Sequence, residues 1–184
     1  MTGVFDDPAQ RPAAPPFELD PMQELHGKGL ARIHRWYLRD LSAVGRLMGD
    51  IRSGLAKPGD LAPAVRSMPM AQNLALFGTA CGQQCLVITN HHQIEDGWLY
   101  PQLEAHRNTA LNAVLARLRD EHKVLHGLIE VLAEAADRLS ADPAADNFAA
   151  CAEGFTALDA AVRSHFRYEE DSIGPAIGFY EVPV

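Results

Sequence analysis

The sequence has little of what marks several large classes of protein. It contains three cysteines, Cys81, Cys85 and Cys151, without a CxxC pair, so a disulfide framework is not expected and a cytoplasmic location is predicted. No cluster of lysine and arginine stands out, and the formal net charge is −8. We therefore expect neither nucleic-acid binding nor adhesion to an anionic membrane.

Long apolar runs are also missing. The longest, around residues 73–89, is interrupted by Gly78, Gly82, Gln83 and Gln84 and is too polar to span a membrane. The N-terminus lacks a basic region followed by an apolar run, so no secretory signal is expected. No stretch alternates polar and apolar residues as a half-buried strand does. With 184 residues, 47% of them hydrophobic, the chain is large enough for one globular domain with a core.

Helical periodicity follows a proline-rich start. Residues 1–22 contain five prolines and are predicted to form a flexible tail, with one domain over residues 23–184. Four amphipathic helices are predicted in that domain: from about Gln23 to near Gly54, from the MPMAQNL segment to Pro101, from about Ala105 to the SADPAAD break, and from there to near Pro175. We expect an all-α fold, an antiparallel up-and-down four-helix bundle with a long connection between its first two helices.

Histidine is the residue that stands out, with eight in the chain. The inward faces of the predicted helices carry a set of candidate ligands, spaced four residues apart on the last three helices. They are His34 on the first helix, His91 and Glu95 on the second, His122 and His126 on the third, and His165 and Glu169 on the fourth. Burying these groups in an apolar bundle is costly unless a cation neutralises the carboxylates.

This set of groups favours two metal ions. One ion cannot use all seven side chains, whereas two can share both carboxylates and an oxo or hydroxo group as bridges. Three histidines then complete six-coordination at one ion, and two histidines leave an open position at the other. Mixed imidazole and carboxylate ligation suits iron, because zinc favours fewer ligands in a tetrahedral shell. A bundle with one zinc ion, or with no metal, is the alternative.

The spacing of these residues resembles that of hemerythrin and of the wider hemerythrin-like, HHE cation-binding family. The motif NHHQIEDGWLYP at residues 90–101 is similar to the HxxxE run of that family, which an aromatic residue and a proline follow. The motif SHFRYEED at residues 164–171 is similar to the matching run on the fourth helix. The resemblance covers roughly residues 25–176. It implies a four-helix bundle in which the seven candidate ligands hold two iron ions with a bridging oxo or hydroxo group.

Two departures favour the broader family over the dedicated oxygen carriers. Those carriers have an aspartate five residues after the last histidine, where this chain has Glu170, and Glu169 stands at four residues. We predict that Glu169 bridges the metals, with Glu170 as the alternative. The segment between His34 and His91 is also longer than in the compact carriers.

The resemblance implies a small diatomic or peroxide ligand at the open iron position. It does not indicate which protein, if any, is a partner. Three functions stay open: reversible binding of O2 or NO, a di-iron oxidoreductase that processes peroxide or NO, and an iron- or oxygen-responsive regulatory module without catalysis. Tyr37, one turn from His34, is either a core aromatic or a donor to a bound oxygen species. His92 is predicted to lie off the ligand faces, so its replacement by alanine should not change the metal content.

Overall fold

The computed structural model describes residues 10–61 and 83–184, and in these residues helices are the only regular secondary structure. The α-helices are α1 (Pro21–Gly27), α2 (Gly29–Arg52), α3 (Gln83–Ile94), α4 (Tyr100–Glu104), α5 (Thr109–Ala141) and α6 (Ala145–Phe179). A 3-10 turn at Pro58–Asp60 follows α2, and a π-helical turn at Glu95–Leu99 joins α3 to α4. The all-α class predicted from sequence is confirmed.

The four helical regions that the sequence predicts correspond to α2, the run from α3 to α4, α5 and α6. They are consistent with a helical bundle, whose antiparallel up-and-down order stays a prediction. The predicted start of the second helix in the MPMAQNL segment lies outside the described residues, as do residues 62–67 of the predicted long connection. No described helix combines the length and the apolar character needed to cross a membrane. The cytoplasmic location stays a prediction.

The first predicted helix is divided at Lys28, and the short helix before the break lies close to the backbone of α6. The sequence predicts one helix from about Gln23, whereas α1 ends at Gly27 and α2 begins at Gly29. A Cβ atom at Gly27 would clash with the backbone oxygen of Gly174, and one at Gly178 would clash with that of Gln23. The close approach of α1 to the end of α6 therefore requires glycine, because any larger residue would separate the two backbones.

The two prolines that the sequence predicts as helix ends do not end their helices. Pro101 lies in the first turn of α4, directly after the π turn, where a missing N–H costs little. Pro175 lies inside α6, which continues to Phe179. Ile173 and Ile177 are fully buried on either side of it. Their burial stabilises the helix by about 1.5–3 kcal/mol each, enough to outweigh the cost of a proline in a helix.

The chain divides into two compact units. The first comprises the described residues of Met1–Arg35, His91–Val124 and Ala161–Val184. Its core includes the fully buried side chains of Leu103, Leu111, Leu115 and Ile177. The second comprises the described residues of Trp36–Asn90 and Leu125–Ala160, with Leu41, Met48, Phe155 and Leu158 among its buried side chains.

Part of the proline-rich N-terminal segment packs on helices within the first unit. The ring of Phe17 lies 5.2 Å from that of Phe179 and 5.6 Å from that of Tyr180, measured between centroids. Tyr168 donates a hydrogen bond of 2.9 Å to the backbone oxygen of Pro12. The described part of the segment therefore packs on the helices, and the boundary between tail and domain at residue 22 stays a prediction.

Candidate metal centre

Two pairs of side chains at i, i+4 spacing point into the first unit. His91 and Glu95 lie one turn apart, with 3.0 Å between His91 Nε2 and Glu95 Oε1. His165 and Glu169 repeat this spacing on α6, with 3.7 Å between His165 Nε2 and Glu169 Oε2. All four side chains are buried. A step of four residues keeps both members of each pair on one helix face, so the local sequence is enough to build them.

Packing gathers these residues into two clusters, each with its ligand atoms within 4.8 Å of one another. What we call the carboxylate cluster consists of His34, His91, Glu95 and Glu169, and the histidine cluster consists of His92, His122 and His165. Six of these seven residues are among the ligands that the sequence predicts. His92 is the exception, and the predicted ligand His126 belongs to neither cluster.

His92, and not the predicted ligand His126, lies in the histidine cluster, and metal ligation by His126 stays a prediction. His126 is half-buried on α5, one turn beyond His122. His92 is fully buried, and its ring stacks on that of His122 with 3.9 Å between centroids. One ligand face per helix would exclude His92, because neighbouring residues point about 100° apart. Because the centre has two clusters, His91 reaches one and His92 the other, and the doublet of histidines was the available signal.

Both glutamates lie between the clusters. Glu95 Oε2 is 3.6 Å from Nε2 of His122 in the histidine cluster, while Oε1 faces the carboxylate cluster. Glu169 Oε2 is 3.4 Å from Nε2 of His34 in its own cluster. It is also 3.7 Å from Nε2 of His165 in the other. Each carboxylate therefore contacts histidines of both clusters.

The buried acceptors of the centre suit a cation. Among the described residues, both oxygens of Glu95 and Oε2 of Glu169 are buried without a hydrogen bond. Burial and the charge of Glu95 raise the pKa of Glu169 well above its usual value. Burial also opposes ionisation of Glu95, but the charge of His91 outweighs it and lowers the pKa of Glu95. Imidazole nitrogens beside carboxylate oxygens are a donor set that iron binds readily, so the residues fit a metal.

A family comparison agrees with this geometry. The model of the hemerythrin HHE cation-binding domain matches residues 30–177. The chain belongs to the hemerythrin HHE family. No curated protein and no solved structure matches it significantly. The recognition made from sequence is confirmed, and this hemerythrin-like protein binds metal, which its family implies to be iron.

Three histidines of this hemerythrin-like centre contact a further carboxylate through their outer nitrogen, Nδ1. The pairs are His34–Glu170 at 2.8 Å, His122–Asp96 at 3.1 Å and His165–Glu121 at 3.1 Å. A carboxylate that accepts the Nδ1 proton fixes the tautomer whose Nε2 lone pair faces the metal. No pattern in the sequence predicts the roles of Asp96 and Glu121, because their contacts depend on packing between helices. Glu170, the alternative bridge predicted from the sequence, contacts the outer nitrogen of His34 in the structure.

Opposite pKa shifts distinguish two of these histidines. Burial lowers the pKa of His34, but the hydrogen bond with Glu170 and the surrounding carboxylates outweigh burial and raise it to about 9. Burial lowers the pKa of His165 to about 4, despite its hydrogen bond to Glu121. Burial of Glu121 opposes its charge, but hydrogen bonds from His165 and Arg11 lower its pKa to about 2. The centre therefore combines a histidine that favours its proton with one that favours the neutral form.

A buried tyrosine completes the hemerythrin-like centre. The hydroxyl of Tyr100 donates to Oε1 of Glu169 at 2.5 Å and lies 3.4 Å from Nε2 of His122. Burial and the charge of Glu169 raise the pKa of Tyr100 well above its usual value, so the phenol keeps its proton. Tyr37, the tyrosine singled out from the sequence, is buried on α2. A donor role for Tyr37 stays a prediction.

Proposed function

We propose that this protein holds two iron ions side by side, bridged by Glu95, Glu169 and an oxo or hydroxo group. The observation that carries the proposal is that each glutamate contacts histidines of both clusters. The proposed terminal ligands are His92, His122 and His165 at one iron and His34 and His91 at the other. His126, which the sequence predicts as a ligand, is left out of this set.

Counting ligands leaves one position open. Three histidines, two bridging carboxylates and one bridging oxygen make six ligands on the side of the histidine cluster. Two histidines and the same bridges make five on the other side. An iron pair with one free position supplies binding and redox chemistry for O2, NO or peroxide. We propose that these small molecules are the ligands, and that peroxide or NO is the substrate if the protein is an enzyme.

The neighbouring side chains suit a small, uncharged ligand. The ring of Phe166 stacks on that of His34 with 3.7 Å between centroids, and both are fully buried. This apolar wall keeps bulk water away from the two-histidine side. Tyr100 holds a hydroxyl proton beside Glu169. A buried site with a proton donor beside a carboxylate supports the processing of peroxide or NO over simple storage.

Metal analysis of the purified protein tests this proposal, with absorption spectra recorded before and after addition of azide. We expect two irons per chain and oxo-to-iron bands that shift with azide, which requires an open position. His91→Ala and His165→Ala should each lose most of the iron, because each removes a ligand from a different cluster. One zinc ion, or no metal after growth with added iron, would contradict the di-iron proposal.

The same sample separates the functions that the sequence leaves open. Rapid consumption of added peroxide, followed with an oxygen electrode, is expected of an enzyme. Reversible spectral change with O2 or NO and no turnover would instead favour a carrier or the regulatory module. Tyr100→Phe should slow turnover while the iron content stays the same, because it removes a proton donor and no ligand.

A further inference from the structure

The three outer carboxylates differ in how they are buried. The side chains of Glu170 and Asp96 are 31% and 37% exposed, whereas that of Glu121 is 0% exposed. A carboxylate that is shielded from solvent needs charged or hydrogen-bonding partners inside the protein. Arg11 supplies a two-pronged contact, with Nε 2.8 Å from Oε1 and Nη2 2.9 Å from Oε2 of Glu121. Arg117 adds a third hydrogen bond of 3.0 Å.

Arg11 reaches Glu121 from the proline-rich segment that precedes the helices. We call residues 10–17 the N-terminal strap. The guanidinium of Arg11 also donates to the backbone oxygen of Ser164 at 3.3 Å and lies 4.6 Å from the centroid of the Tyr168 ring. Tyr168 in turn donates to the backbone oxygen of Pro12. The strap is therefore held to α6 on the side next to His165.

Glu121 connects Arg11 to the metal centre. Glu121 accepts from Arg11 and lies 3.1 Å from Nδ1 of His165, whose Nε2 belongs to the histidine cluster. A carboxylate on the outer nitrogen makes an imidazole a stronger electron donor to a metal. A guanidinium on the same carboxylate withdraws part of that charge, and its planar fork also fixes the direction of the carboxylate.

We propose that the N-terminal strap is part of the metal centre, and that Arg11 acts through Glu121 as a positioning residue for His165. In this role Arg11 holds the imidazole in place and keeps the reduction potential of the bound iron higher than the carboxylate alone would. The sign follows from charge, because a nearby cation disfavours the more oxidised metal. The effect on the potential rests on the proposed iron pair, whereas the positioning of His165 does not.

The potential of the iron centre, measured by spectroelectrochemistry on the full chain, tests the electronic part. Arg11→Gln should shift it to more negative values, because a positive charge beside Glu121 is lost. Arg11→Lys keeps the charge and should restore most of the shift, and Arg117→Gln should give a smaller shift of the same sign. Arg167→Gln, an exposed position on the same helix as His165, is the matched control. An unchanged potential in Arg11→Gln would overturn the proposal.

The metal-free chain tests the positioning part independently. The Nδ1 proton of His165, followed by nitrogen-15 NMR, should exchange slowly with water in the wild type and in Arg167→Gln. In Arg11→Gln it should exchange at least about tenfold faster, because a charge-assisted hydrogen bond that holds Glu121 is lost. Equal exchange rates in Arg11→Gln and the wild type would refute the proposal that Arg11 positions His165. Failure of the wild type to bind an iron pair would refute only the proposed function.

Discussion

At the scale of single residues, the balance of ionisation decides what this centre can hold. The two glutamates that lie between the clusters are buried, and burial together with the charge of Glu95 raises the pKa of Glu169 well above its usual value. A metal ion that binds there must displace that proton and gains an ionised oxygen ligand in return. The carboxylates of Glu170, Asp96 and Glu121 prepare the histidines for metal binding in the metal-free protein, because they determine which nitrogen of each imidazole carries the proton.

The ligand set proposed from the structure contains His92, whereas the set predicted from the sequence contains His126, and metal content distinguishes the two. His92→Ala should lose one of the two proposed metal ions, because it removes a terminal ligand from the histidine cluster. His126→Ala should keep both, since His126 belongs to neither cluster. Mass-spectrometric metal analysis of the two variants, purified side by side, measures this difference. If His126→Ala loses metal and His92→Ala does not, the ligand set predicted from the sequence is right and the one proposed from the structure is wrong.

At the scale of elements, the π turn at Glu95–Leu99 builds the second helix around the centre. Its backbone closes with a hydrogen bond from the N–H of Tyr100 to the oxygen of Glu95, five residues earlier. Such turns insert one extra residue into a helix and are frequent at functional sites. The extra residue lets Glu95 face the carboxylate cluster while the side chain of Tyr100, further along, still points inward to Glu169.

Deleting Gly97 should therefore disrupt the centre. A regular α-helix would turn Tyr100 and Leu103 about 100° away from the interior. Both are fully buried, so we expect the metal-free protein to lose about 3–5 kcal/mol of unfolding free energy, as when large core side chains are removed. Urea unfolding followed by circular dichroism measures it. Gly97→Ala is the control, because no atom lies within 4 Å of the added Cβ, and it should stay within about 1 kcal/mol.

At the scale of the whole molecule, metal binding and folding are linked. A metal that binds only the folded chain adds about 2.7 kcal/mol at a concentration 100-fold above its Kd. For a chain of 184 residues this corresponds to a rise of about 5–10 °C in Tm. The rise depends on metal concentration, so it reports the affinity of the folded centre.

Glu169→Gln should separate the two contributions. The metal-free variant should be at least as stable as the metal-free wild type, because an uncharged amide replaces a buried carboxylate that must hold a proton. The amide oxygen can still accept from Tyr100. The rise in Tm with Co2+, measured by scanning calorimetry on both proteins, should be largely lost, since the amide is a poor bridging ligand. A variant that gains as much as the wild type would exclude Glu169 as a ligand.

Local patterns of the sequence were sufficient for the helical class and for most of the centre. The steps of four between His91 and Glu95 and between His165 and Glu169 share a helix face whatever surrounds the helix. The amphipathic periods of α2, α5 and α6 likewise follow from the order of residues alone. Helix ends were less predictable, because the burial of Ile173 and Ile177 carries α6 past a proline.

The sequence by itself determined which helices form and which residue types are candidate metal ligands, because helical periodicity and ligand spacing are local properties. Only the tertiary structure decided that His92 lies in the histidine cluster. His91 and His92 point in different directions from one helix, and the structure has a separate cluster on each side to receive them. It also decided that Arg11 and Glu121 stand behind His165. These residues are far apart in sequence, and no local rule predicts a contact that packing alone creates between distant segments.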